Sequence, residues 1–118
     1  MSKEILDVAD ALERVQDDKE LFLELLDIFQ EDYVAKRRQL DEFVTANDLE
    51  QTSNTAHSIK GAAGNISAHA VHRICARIEQ DAEEGKPTDY RALLKELDEQ
   101  YQLLDENIKI IKKDFAKG

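Results

Sequence analysis

The 118-residue chain has no tryptophan, one cysteine, one proline and four glycines. A single cysteine, Cys75, excludes an internal disulfide and fits a reducing compartment. So few glycines and prolines give too little punctuation for the many short strands of an all-β fold. Long apolar runs are missing as well: no stretch approaches the roughly 18 residues of a membrane span. The opening Met1-Ser2-Lys3-Glu4 has no cationic segment leading into an apolar one, so no signal peptide is expected. Cations are in deficit. Sixteen Lys and Arg against 26 Asp and Glu leave a net charge of −10, which argues against a nucleic-acid partner. Neither an internal repeat nor a low-complexity tail is visible.

What is present suits helices. Hydrophobic residues make up 42% and charged residues 36%, a mixture that favours packed amphipathic helices over disorder. The length fits a single domain, residues 1–118. Ser2 is placed to cap a short first helix whose buried face is Ile5, Val8, Leu12 and Val15. Asp17 with Glu20 reads as a capping-box variant opening a long second helix to about Ala46. Its stripe is Phe22, Leu25, Leu26, Phe29, Tyr33, Leu40 and Phe43, thinning at Lys36, Arg37 and Arg38. Asn47 with Glu50 repeats the cap and starts a third helix. A break at Ser67-Ala68 leads to a fourth, from about His69 to Glu84, with Val71, Ile74, Cys75, Ile78 and Ala82 inward. Gly85-Lys86-Pro87 ends it. Thr88 or Asp89 caps the last helix, where Tyr90, Leu94, Leu97, Tyr101, Leu104, Ile108, Ile111 and Phe115 alternate in steps of four and three. The expectation is an all-α, antiparallel four-helix bundle with a short additional N-terminal helix. The last pattern alone would also suit a coiled coil.

One stretch of the third helix carries chemistry. In Ala56-His57-Ser58-Ile59-Lys60-Gly61-Ala62-Ala63-Gly64-Asn65-Ile66, the residues Ala56, Ile59, Ala63 and Ile66 form an apolar seam. His57, Lys60, Gly61 and Gly64 occupy positions i, i+3, i+4 and i+7, one stripe beside that seam. Each mid-helix glycine costs about 1 kcal/mol relative to alanine, a cost that an ordinary helix histidine leaves unexplained. Bare backbone beside an imidazole lets a second protein approach closely, and Lys60 can neutralise incoming negative charge. Gly64 can also serve helix packing.

This stretch resembles the histidine phosphotransfer (HPt) family of two-component phosphorelays, whose pattern is His-x-x-Lys-Gly followed by small residues and often a further Gly. His57, Lys60, Gly61, Ala62, Ala63 and Gly64 match, and the helix pattern fits the family over essentially the whole chain. Ser67 departs from it, standing where many members carry Gly. The resemblance implies a phosphoryl carrier between receiver-domain aspartates, with His57 as phosphoacceptor and Lys60 neutralising phosphoryl charge. It also implies a polar side chain on the next helix accepting a hydrogen bond from Nδ1, and counting places Glu79 there. An ordinary imidazole, with a pKa of about 6.5, is largely neutral near pH 7, as nucleophilic attack requires. Gly61, Gly64 and Tyr33 are the expected partner contacts, with Phe29, Gln30 and Asp32 nearby. Response-regulator receiver domains and a (hybrid) sensor histidine kinase are the implied partners. Mg²⁺ is expected on the receiver, with no cofactor or metal held by this chain. Nothing resembles a phosphate-binding loop, so neither ATP binding nor autokinase activity is expected. A cytoplasmic monomer is the simplest form, either free-standing or a module of a larger kinase.

Two other readings stand beside this one. The first is a helical adaptor without covalent chemistry. The second is a metal-binding bundle using His69, His72 and Cys75, although three-residue steps drift by about 60° each around a helix.

Overall fold

The computed structural model describes residues 2–116; Met1, Lys117 and Gly118 lie outside them. Five helices follow in order: α1 Val8–Arg14, α2 Lys19–Thr45, α3 Leu49–Asn65, α4 His69–Glu84 and α5 Tyr90–Ala116. No strand occurs among the described residues, and the all-α bundle with its short extra helix is as expected. The 27 residues each of α2 and α5 span about 40 Å at 1.5 Å per residue, while α3 and α4 span about 25 Å. The shorter pair therefore covers one part of the longer pair in a rod of 48 × 22 × 22 Å. The N-terminal segment closes the remainder, burying Leu6 and Ala11. Its backbone is tied to the α3–α4 junction, with Asp7 N–H donating to Ser67 O (3.0 Å) and Ala70 N–H to Glu4 O (2.7 Å).

Three helix starts differ from the sequence reading, α1 by five residues and α2 and α3 by one each. Ser2 caps only a turn, through Glu4 N–H to Ser2 Oγ at 3.2 Å, and α1 is capped by Asp7. Asp18, not Asp17, accepts from Leu21 N–H to cap α2; Asp48, not Asn47, accepts from Gln51 N–H to cap α3. Asp17 and Asn47 instead take left-handed backbone, at φ 62° and 55°. In each pair the first residue reverses the chain and the second caps the next helix. Asp and Asn tolerate that conformation better than most residues. Ser67-Ala68 follows the same plan, with Ser67 at φ 59° and Ala68 as a cap without a side-chain bond. Ser67, standing where glycine would be free of strain, is buried, and its Oγ donates to Asp10 Oδ2 at 2.6 Å. That charge-assisted bond offsets the backbone penalty and holds the Asp10 carboxyl below the usual carboxylate range.

The core follows the predicted stripes: Phe22, Leu26, Leu40, Ile59, Ile78, Leu97, Leu104 and Ile108 are fully buried. Leu93, outside the expected pattern, is buried too. Where the α2 stripe thins, the cations bridge helices. Arg37 donates to both Asp98 oxygens at 2.8 and 3.0 Å, and Lys36 reaches Asp32 (3.1 Å) and Ser58. Gln30–Asp105, Lys112–Asp27 and Arg91–Asp41 continue this polar seam between α2 and α5.

Candidate functional site

The α3 sequence is helical because Asp48 caps it and its apolar residues return every three or four positions, burying Ala56, Ile59 and Ala63 against the core. That register turns His57 outward. Its side chain is 66% exposed, yet one ring atom is fixed: Nδ1 lies 2.7 Å from Glu79 Oε2 on α4. Burial pushes the Glu79 carboxyl upward, but hydrogen bonds from Lys60 and His57 outweigh it and hold the group below the usual carboxylate range. An ionised carboxylate only accepts, so the uncharged form of the His57 ring carries its proton on Nδ1 and leaves Nε2 bare.

Lys60 also meets Glu79, with Nζ 2.6 Å from Oε1. The carboxylate is only 13% exposed and Lys60 26%, so this pair is better shielded from water than a surface ion pair. Gly61 and Gly64, although on one stripe, differ in what surrounds them. A Cβ at Gly61 would meet nothing within 4 Å among the described residues, so their packing does not require glycine there. A Cβ at Gly64 would lie 3.5 Å from His72 Cδ2, an ordinary contact against α4. Gly64 thus borders a packed neighbour and Gly61 borders open space.

Tyr33 is a correction. Expected among the partner contacts, it is 4% exposed, its ring stacked on Tyr101 at 3.8 Å and close to Phe29. Helical spacing marked its face but not the α5 aromatic across from it. Gln30 is engaged with Asp105, Asp32 with Lys36, and Phe29 lies in the core. Two apolar residues of the middle of α2 do face out, Ile28 at 59% and Val34 at 58% exposed, and Ile28 is the one beside α3. It lines a shallow groove with Leu25, Asp32, Ala62 and Asn65 between α2 and α3. Ala62 and Asn65 share a stripe with Ser58, next to the stripe of His57 and Gly61. Ile28 had a signal in the sequence, being an isoleucine out of phase with Phe22, Leu26, Phe29 and Tyr33.

The three potential ligands on α4 do not converge. Cys75 is buried in the core, with its thiol pushed up to about 12 by burial, His72 packs beside Gly64, and His69 faces Asp7 at 3.5 Å. Among the described residues no group of three or more His, Cys, Asp or Glu side chains is placed to hold a metal. Arg73 and Arg77 pair with Glu4 and Asp81. No helix among the described residues is long and apolar enough to cross a membrane.

Residues 24–107 match the family model described as the Hpt domain. Two solved structures are similar over nearly their full length, each with a TM-score of 0.82. One is the HPT domain of an Hpt sensor hybrid histidine kinase from Shewanella, 18% identical, with 96% of this chain and 97% of that one covered. The other is histidine-containing phosphotransfer protein B from Pseudomonas aeruginosa PAO1, 23% identical, with 97% and 96% covered. At those identities the two structures speak to fold alone. No curated protein matches in sequence.

Proposed function

The chain belongs to the Hpt domain family, and from that membership we propose that His57 is the phosphoacceptor through which it acts. Phosphorelay histidine phosphotransfer is its function. The observation that carries the assignment to His57 is the geometry at the ring: Nδ1 tied to Glu79 at 2.7 Å while the side chain stays 66% exposed.

With the proton held at Nδ1, the Nε2 lone pair attacks the phosphorus of a receiver aspartyl phosphate in line. The N–P bond forms as the acyl O–P bond breaks, and the receiver regains its carboxylate. The ring keeps its Nδ1 proton and takes up positive charge, which Glu79 faces. Running the step backwards delivers the phosphoryl group to a second receiver. In this reading Lys60 neutralises charge on the phosphoryl oxygens, and the bare backbone at Gly61 and Gly64 admits the partner. The groove of Ile28, Asp32, Ala62 and Asn65 extends the docking face. Mg²⁺ is supplied by the receiver. Receivers as donor and acceptor, a (hybrid) sensor kinase upstream and action as a monomer are parts of the same proposal.

The test mixes wild-type and His57→Gln chains with a panel of phosphorylated receiver domains and follows the label. Acid-labile, alkali-stable label on the wild type, absent from His57→Gln, is the expected result. Receivers that bind both chains but label neither would favour a non-catalytic adaptor.

A further inference from the structure

Glu79 serves two donors at once. Oε2 takes the Nδ1–H of His57 at 2.7 Å and Oε1 takes the Lys60 ammonium at 2.6 Å. Lys60 stands one helical turn from His57, so a phosphoryl group on Nε2 comes within reach of its flexible side chain. Two anions, a carboxylate and a phosphoryl group, then compete for one ammonium. The carboxylate is held in place by the ring, is mostly shielded from solvent, and is already occupied by Lys60 before any phosphoryl group arrives.

Resting on the assignment of His57 as phosphoacceptor, we infer that Glu79 is a positioning residue with two opposed effects. Through Oε2 it orients the imidazole for attack; through Oε1 it withholds Lys60 from the phosphoryl group. His57 therefore holds that group less tightly than it would beside a neutral acceptor, which suits a carrier that must release what it takes up. Glutamine at position 79 keeps an oxygen able to accept from Nδ1–H but carries no charge to retain Lys60.

The competition can be read without a receiver. Phosphoramidate donates its phosphoryl group to Nε2, the N–P bond to histidine forming as the donor's own N–P bond breaks and ammonia leaves; added ammonium drives the reaction back. At a fixed ratio of phosphoramidate to ammonium, ³¹P NMR gives the ratio of phosphorylated to free His57. Four chains are compared: wild type, Glu79→Gln, Lys60→Met and the double variant, each checked for helicity by circular dichroism.

Glu79→Gln is expected to raise that ratio about threefold or more, as for release of a partly shielded ion pair. In the Lys60→Met background the same change frees no ammonium and removes only the charge that faces the phosphorylated ring, so no rise is expected, which a merely structural role of Glu79 would not produce. The Lys60 ammonium ¹H–¹⁵N resonance should shift further on phosphorylation in Glu79→Gln than in the wild type. An equal change of the ratio in both backgrounds, no change in either, or an equal Lys60 shift in the two chains would overturn the inference alone. If the wild-type chain forms no phosphohistidine with either phosphoramidate or receivers, the inference and the assignment of His57 fall together.

Discussion

The two glycines on the His57 stripe are chemically identical and structurally unlike. Open space beside Gly61 means that alanine there gains helix propensity and meets no neighbour. Gly61→Ala should raise stability by about 1 kcal/mol in urea unfolding. Gly61→Leu should fold as well as the wild type yet slow phosphotransfer from a phosphorylated receiver; transfer at the wild-type rate would remove Gly61 from the docking face. Tyr33 makes the opposite case. Its hydroxyl is buried without a partner among the described residues, and burial drives the phenol's pKa upward. Tyr33→Phe should stabilise the chain, by up to about 1–3 kcal/mol, and leave receiver affinity unchanged. A loss of affinity would restore it as a partner contact. The His57, Lys60, Gly61 and Gly64 stripe could be read from spacing because all four sit on one helix. The environment of Tyr33 could not, because the ring that buries it comes from α5.

Apart from α1, which is capped by Asp7 rather than Ser2, element positions were legible to within a residue or two, and the small errors share one cause. Capping rules accept either member of Asp17-Asp18 and of Asn47-Asp48. What decides between them is the exit of the preceding segment, which needs left-handed backbone at the first residue. Asp48→Ala should therefore cost about 1 kcal/mol, whereas Asn47→Gly should be neutral or stabilising, both read from urea midpoints. A loss from Asn47→Gly with none from Asp48→Ala would put the cap back at Asn47. Ser67 shows how a local exception is repaired from a distance. A residue with a Cβ in the left-handed region is held by Asp10 in α1, 57 positions earlier, a pairing no spacing rule could reveal.

At the scale of the molecule, the bundle was legible because three- and four-residue spacing persists through every long helix and so few residues interrupt it. Glu79 was reachable only through the family pattern, since its distance from His57 depends on how α4 is rotated against α3. The same packing hides Cys75, whose thiol burial pushes up to about 12. Labelling of Cys75 by a thiol reagent in native buffer should be slow and should rise with urea in step with global unfolding. Fast labelling without urea would mean that α4 opens on its own. The placement of His57, mid-helix on a single flank of the rod, has a kinetic consequence. There is one berth. On the proposed role of His57, a donor receiver must leave before an acceptor can dock, so exchange would follow a ping-pong course. A receiver with nothing to give or already charged occupies the berth unproductively, and throughput passes through a maximum as its concentration rises.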